Sequence, residues 1–211
     1  MKITKYVHSC LLAETDNSSV LFDPGGFSWE SGKFDFKSVK NLDAVVVTHE
    51  HPDHFSEEFV KKILSKFPDV RFFSTPKVLD RLKQLKVINL SDDSSGEINI
   101  FSKKPHASLG PIGEAPENIA VHFEDYLTVG GDRHDLEESR EVLALTVTAP
   151  WGSMVSALET ALRLKPKKVL PIHDWHWGDA GKKWSYDRME GVFSENGIEF
   201  IRLNDGEPID L

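Results

Sequence analysis

Residues 48–54 read Thr48-His49-Glu50-His51-Pro52-Asp53-His54, directly after the apolar run Val45-Val46-Val47. Three imidazoles and two carboxylates therefore crowd the end of a segment whose pattern predicts a buried strand. Titratable groups beside a water-poor interior are costly unless something pairs them. A metal ion pairs His and Asp at once. In an extended chain residues i and i+2 point the same way, so His49 and His51 converge on one point while Glu50 points elsewhere. Pro52 biases His51 toward the extended conformation this needs. The chain then turns, and Asp53 and His54 address a second point. These donors suit zinc, and also iron or manganese. The competing reading of the motif is a solvated histidine-rich loop.

Working outward, three more donors occur at strand ends or in loops: His106 in K-P-H-A-S, Asp132 in V-G-G-D-R-H and His173 in V-L-P-I-H-D. Rigid strands that deliver polar side chains from their ends are a common way to build a site. His122 is a rival to His106. It sits in an alternating strand pattern that suits a buried structural histidine, so His106 is preferred.

The pattern around these donors predicts strands over 2–7, 10–13, 20–22, 42–47, 70–73, 87–90, 97–101, 142–147, 169–172 and 198–203. Strands over 118–123 and 126–129 are expected to pair around Glu124-Asp125. Ser56 caps a helix carrying Phe59, Val60, Ile63, Leu64 and Phe67 on one face. Further helices are expected over 76–85, opening on a proline, over 153–165 and over 184–195. Residues 23–26 read as a chain break, and 103–118 as an ordered loop. No repeat or linker divides the chain, so one domain over 1–211 is expected, with helices covering sheets.

The 211 residues are 39% hydrophobic and 28% charged, an ordinary globular composition. The net charge of -9 argues against a general nucleic-acid or anionic-membrane binder. The single cysteine, Cys10, allows no internal disulfide and reads as a small buried side chain. The N-terminal apolar stretch is too short for a signal-peptide core, and no run approaches the ~18 apolar residues of a membrane helix. A cytoplasmic address and no membrane association are expected. The sequence leaves the oligomeric state open.

With these motifs in place, the chain resembles the metallo-β-lactamase fold hydrolases. The resemblance rests on Asp23-Pro24-Gly25, T-H-E-H-P-D-H, Gly131-Asp132 and Pro171-Ile172-His173, in the family's order over essentially the whole chain. The insert-poor layout looks most like the branch containing ascorbate-6-phosphate lactonase-like proteins. The resemblance implies an α/β, four-layer αβ/βα sandwich with two metals at one edge. It implies that His49, His51 and His106 hold the first metal, that Asp53, His54 and His173 hold the second, and that Asp132 bridges them. It implies that Asp23 orients ligands and that His8, in V-H-S-C, lies near the site. A strand-end surface position is the other reading of His8. The sequence departs from the family at Arg133-His134, where a small hydroxyl residue is commoner.

The chemistry expected of this set is hydrolysis of a small ester, lactone or phosphoester by a metal-bound hydroxide, with zinc the first choice of metal and manganese or iron as alternatives. Asp53 would orient the nucleophile or move its proton. Trp151, Trp175, Trp177 and Trp184 either wall a pocket or pack covering loops. His176 either donates to a leaving group or sits free in its loop. Arg133 either recognises a phosphate or carboxylate or pairs with Asp135. The rivals are an iron-dependent redox enzyme, a nuclease and a non-catalytic metal protein of the same fold. The acidic balance argues against the nuclease, and the absence of a flavodoxin-like partner domain argues against a diiron flavoprotein.

Overall fold

The computed structural model describes all 211 residues. The first half of the chain forms β1 (Lys2–Lys5), β2 (Leu11–Glu14), β3 (Ser19–Phe22), β4 (Ala44–Val47), β5 (Arg71–Ser74) and β6 (Leu90–Ser91). The second half forms β7 (Ile98–Ser102), β8 (Ala120–Phe123), β9 (Leu127–Val129), β10 (Val142–Thr146), β11 (Lys168–Ile172), β12 (Glu199–Phe200) and β13 (Pro208–Asp210). They build two sheets, ordered β13-β1-β2-β3-β4-β5-β6 and β12-β11-β10-β9-β8-β7. The helices are α1 (Gly26–Ser31), α2 (Glu57–Lys66), α3 (Pro76–Gln84), α4 (Met154–Leu164) and α5 (Asp179–Glu195).

The two-residue period of the strands makes the layers. On β4, Ala44 and Val46 enter the core between the sheets, while Val45 and Val47 pack outward with Phe59, Val60 and Ile63 of α2. On β10, Val142 and Ala144 face inward, while Leu143 and Leu145 meet Ala157 and Ala161 of α4 and Met189 and Phe193 of α5. Each sheet is thus apolar on both faces, and helices cover the two outer ones. This is the four-layer α/β sandwich expected from the sequence.

Capping sets the helix starts. Ser56 accepts the Phe59 N–H, with Glu57 and Glu58 in the first turn of α2. Ser153 and Ser156 form a reciprocal capping box at α4. The β8–β9 hairpin closes around Glu124-Asp125 as the sequence predicts.

Several boundaries differ from the sequence reading. The chain break at 23–26 leads into the short helix α1. The strand expected over 87–90 contracts to the edge pair Leu90–Ser91, and that expected over 198–203 to Glu199–Phe200. Helix α5 opens five residues earlier than the apolar pattern suggests, because its first turns are polar and exposed. Strand β13 opens on Pro208 at a sheet edge, a position a proline tolerates because no ladder donor is needed there. No helix is long and apolar enough to cross a membrane.

Strands β3 to β6 run parallel, as do β9 to β12. Their carboxyl ends share one edge of the sandwich. That edge is where open α/β sheets place ligands, and all the candidate donors lie there.

Phe123 is fully buried between the sheets, edge-on to Phe22 at 6.2 Å. Phe123→Ala is expected to lower stability by about 3–5 kcal/mol, read from the urea midpoint with the slope unchanged.

Candidate metal centre

Six segments end at this edge and meet. His8 follows β1, Asp23 follows β3, and the 48–54 motif follows β4. His106 comes from the loop after β7, Asp132 follows β9, and His173 follows β11. Three of these residues adopt positive φ: His8 at 64°, Asp23 at 45° and His173 at 65°. Left-handed backbone is unfavourable for residues with a Cβ and persists where the surroundings enforce it. Here it turns each side chain back across the sheet ends. The His173 N–H donates to the His8 carbonyl at 3.1 Å, so the two sheets are bonded at the site itself.

Two glycines allow the close approach. A Cβ on Gly25 would lie 1.7 Å from the Asp53 carbonyl oxygen, and one on Gly131 would lie 2.1 Å from Asn118 Oδ1. Gly131 also has φ +62°. The first glycine admits the 51–54 turn, and the second seats Asp132.

The donors form two clusters, each with its ligand atoms within 4.8 Å of one another: His49, His51, His106 and Asp132 in the first, and His8, Asp53, His54 and His173 in the second. In the first, His49 Nε2 lies 3.1 Å from His51 Nδ1, and His106 Nε2 lies 3.2 Å from Asp132 Oδ2. In the second, Asp53 Oδ2 lies 3.1 Å from His8 Nε2, 3.4 Å from His173 Nε2 and 3.7 Å from His54 Nε2. Asp132 reaches across, with Oδ1 3.4 Å from His54 Nε2 and Oδ2 3.2 Å from His173 Nε2.

Hydrogen bonds outside the clusters fix which nitrogen faces inward. Asp23 accepts the Thr48 N–H at 2.7 Å and the Thr48 hydroxyl at 2.9 Å. It also accepts His54 Nδ1–H at 2.8 Å. Because the Thr48 hydroxyl is donated to Asp23, it accepts from His49 Nδ1 at 3.0 Å. His173 Nδ1 donates to the Thr148 carbonyl at 2.6 Å, and His106 Nδ1 to the Ala107 carbonyl at 2.5 Å. A carbonyl or carboxylate only accepts, so these four imidazoles carry their proton on Nδ1. Their Nε2 lone pairs then face the carboxylate oxygens of Asp53 and Asp132. Lone pairs facing lone pairs in a buried pocket repel unless positive charge lies between them. His54 Nε2, His173 Nε2 and Asp132 Oδ1 are buried without a hydrogen-bond partner. The donor set and its outer hydrogen bonds fit divalent cations.

Without a cation, protons take that place. Burial disfavours charge on His54, yet the Asp132 and Asp23 carboxylates raise its pKa well above the ordinary imidazole value. His173, also opposed by burial, is raised to about 9 by Asp132 and Asp53. Burial would raise Asp132, but His54 and His173 hold it well below the carboxylate range. His8 is lowered to about 4, mainly by burial.

The remaining candidates separate. His8 is 1% exposed and stands among the second-cluster donors, so the surface reading fails. His122 lies away from the clusters, between Thr128 and Glu138 and stacked on Phe101. Arg133 does not face the site as a recognition group: it is 2% exposed, with Nε on Asp135 at 2.8 Å and Nη1 on Ser102 at 2.8 Å. Trp151 reaches the site and donates Nε1–H to Asp132 Oδ2 at 3.2 Å. His176 is exposed at the rim, its ring 5.6 Å from those of both His8 and His173. Trp177 packs against Tyr186, and Trp184 lies under Arg188 on the outside of α5. Cys10 is buried, and burial pushes its thiol pKa up, so it is no nucleophile.

Sequence reading missed Thr48, whose hydroxyl links Asp23 to His49. It also missed the cluster in which Lys5 Nζ, Lys182 Nζ and Tyr186 Oη each lie 2.6 Å from Asp174 Oδ2. Lys5 is fully buried. A lysine inside an apolar strand, and an aspartate directly after His173, were the available signals.

A profile of the beta-lactamase superfamily domain matches residues 2–111, which include the 48–54 motif and His106. The UPF0173 metal-dependent hydrolase NEQ378 of Nanoarchaeum equitans is 26% identical, over 100% of both chains. Protein Rv0786c of Mycobacterium tuberculosis is 29% identical, over 82% of this chain and 84% of that one. Among solved structures, Igni18, a metallo hydrolase from Ignicoccus hospitalis, superposes with a TM-score of 0.72 at 19% identity, covering 99% of this chain and 97% of that one. At that identity the likeness establishes the fold.

Asp23→Ala removes the acceptor of His54 Nδ1–H and of both Thr48 donors. It is expected to weaken zinc binding 10–100-fold, measured by competition with a chromophoric chelator. In the unaltered protein, zinc at about a hundred times its Kd should stabilise the fold by about 2.7 kcal/mol, read as a Tm increase that chelator reverses.

Proposed function

The chain belongs to the beta-lactamase superfamily, and from that membership we propose that it is a two-metal hydrolase of a small ester, lactone or phosphoester. The observation that carries the reading is Asp132, one carboxylate within 3.4 Å of imidazoles from both clusters. Such a carboxylate could serve two cations at once. His49, His51 and His106 would hold one, His8, Asp53, His54 and His173 the other, and Asp132 would hold both. We assign zinc to the site as the first choice among the metals that its imidazole and carboxylate donors suit. Two such ions supply Lewis acidity, lowering the pKa of water from ~15.7 to ~7 and polarising the substrate oxygen under attack.

The protein's own groups do the rest. The clustered donors are imidazoles and carboxylates, and burial pushes the Cys10 thiol pKa up, so water is assigned as the nucleophile. Asp53 is the more open of the two clusters' carboxylates, with a side chain 20% exposed; burial would raise its pKa, but His173 and His8 hold it well below the carboxylate range, so it would act as an acceptor that orients the attacking water. His176, at the rim beside His8 and His173, is placed to return a proton to the leaving oxygen. Trp151 Nε1–H fixes the rotamer of Asp132 through Oδ2. Placement in the lactonase-like branch is part of the proposal, supported by His8 joining the second cluster and by the compact layout.

Metal analysis by plasma mass spectrometry on untagged protein tests the reading. About two zinc ions per chain support it, and one iron with oxygen consumption overturns it. Asp132→Ala is expected to lose bound metal and ester or lactone hydrolysis while the far-ultraviolet circular dichroism stays native. Retained metal and turnover in that variant would remove Asp132 from its assigned role.

A further inference from the structure

Trp175 is 53% exposed, yet its indole is stacked on Phe27 at 4.0 Å and 8°. Phe27 meets His8 edge-on at 5.2 Å, so the ring pair is continuous with the second cluster. The loop that carries Trp175 is anchored. Its first residue, Asp174, is 3% exposed and bound to Lys5, Lys182 and Tyr186, each at 2.6 Å. The indole is therefore presented on a fixed support, with a large apolar face turned to solvent. Across the mouth, Trp151 lies edge-on to His106 at 5.6 Å and to His134 at 4.8 Å. It flanks a cavity of about 400 Å³ that Ser108, His134 and Ser156 also line. Trp151 stands against the first cluster, and Trp175 is joined to the second through Phe27.

Charge narrows the ligand further. The segments around the mouth, residues 27–33, 103–108, 130–136 and 174–186, contain six lysines and arginines. Every one has a carboxylate partner: Lys33 with Asp205, Lys103 with Asp93, Lys104 with Glu137, Arg133 with Asp135, Lys182 with Asp174 and Lys183 with Asp187. The two least exposed, Arg133 and Lys182, are held by Asp135 and Asp174 at 2.8 and 2.6 Å. An anionic tail would compete with a carboxylate for every cation but the metals. A flat apolar group would find an anchored indole.

Resting on the hydrolase reading, we infer that the substrate is uncharged and carries an aromatic group that packs on Trp175 while its ester or lactone carbonyl sits at the clusters. Trp175 acts on affinity, so its contribution falls on KM.

Three esters test this on the zinc-loaded protein: benzyl acetate, ethyl acetate and 2-acetoxyethyl phosphate. The benzyl and ethyl leaving groups are alcohols of nearly equal acidity, so binding decides between them. Benzyl acetate is expected to exceed both others in kcat/KM by about tenfold or more. Trp175→Ala should cut the benzyl-to-ethyl ratio about tenfold, mainly through KM, and Trp175→Phe should restore most of it. Equal rates for benzyl and ethyl acetate, or a preference for the phosphate ester, overturn the inference and leave the hydrolase reading standing. Saturation-transfer NMR with benzyl methyl ether, which is not hydrolysed, separates the two ideas. Transfer to the phenyl protons that Trp175→Ala abolishes supports the aromatic wall even where no ester is cleaved. No transfer with the unaltered protein overturns it.

Discussion

Four imidazoles donate Nδ1–H outward, three to carbonyl or carboxylate oxygens and His49 to a Thr48 hydroxyl whose own proton is committed to Asp23, and so point four Nε2 atoms inward toward two carboxylates. That arrangement governs the rest of the molecule. It is electrostatically untenable without positive charge at its centre, and it uses the backbone of both sheets to hold it. Thr148 and Ala107 contribute carbonyls, and Asp23 contributes a carboxylate that also fixes Thr48. The residues that never touch the centre thus decide the orientation of those that do.

The backbone carries part of the load. His8, Asp23 and His173 all occupy left-handed conformations, and each follows the last residues of a strand in the same edge. Ordinary extended exits would send those side chains past the sheet ends. Holding them back costs local conformational energy, and Gly25 and Gly131 keep that cost from compounding into steric clash. The bonded, buried cluster around Asp174 serves the same end from the outer side. It ties the residue after His173 to β1, whose continuation carries His8.

The fold was readable because strand alternation on β4 and β10 sorts side chains between an inner core and two outer ones. That is a period-two signal, and it survives in one sequence. The 48–54 motif was readable for the same reason: the i, i+2 spacing of His49 and His51 is local geometry. What stayed hidden was non-local. Nothing near His8 says that its backbone turns left-handed and meets His173, and while the pairing of Arg133 with Asp135 was one of two local readings, nothing near it says that Ser102 takes the rest of its guanidinium. Helix α5 began earlier than expected because an exposed polar turn has no apolar period to detect. The two-residue strand β6 and the proline-led β13 lie at sheet edges, where pattern is weakest.

The backbone bond between His173 and His8 has a mechanical meaning. Each cluster takes donors from both sheets: His49 and His51 face Asp132 and His106, and His8 and His54 face His173. A cation bound there acts as a rivet across the seam of the sandwich. Its binding free energy then enters the unfolding equilibrium of the whole sandwich, not the opening of one loop. Protection of the amides deep in β4 and in β11, on opposite sheets, would rise and fall together with occupancy of a site that neither strand's core residues touch.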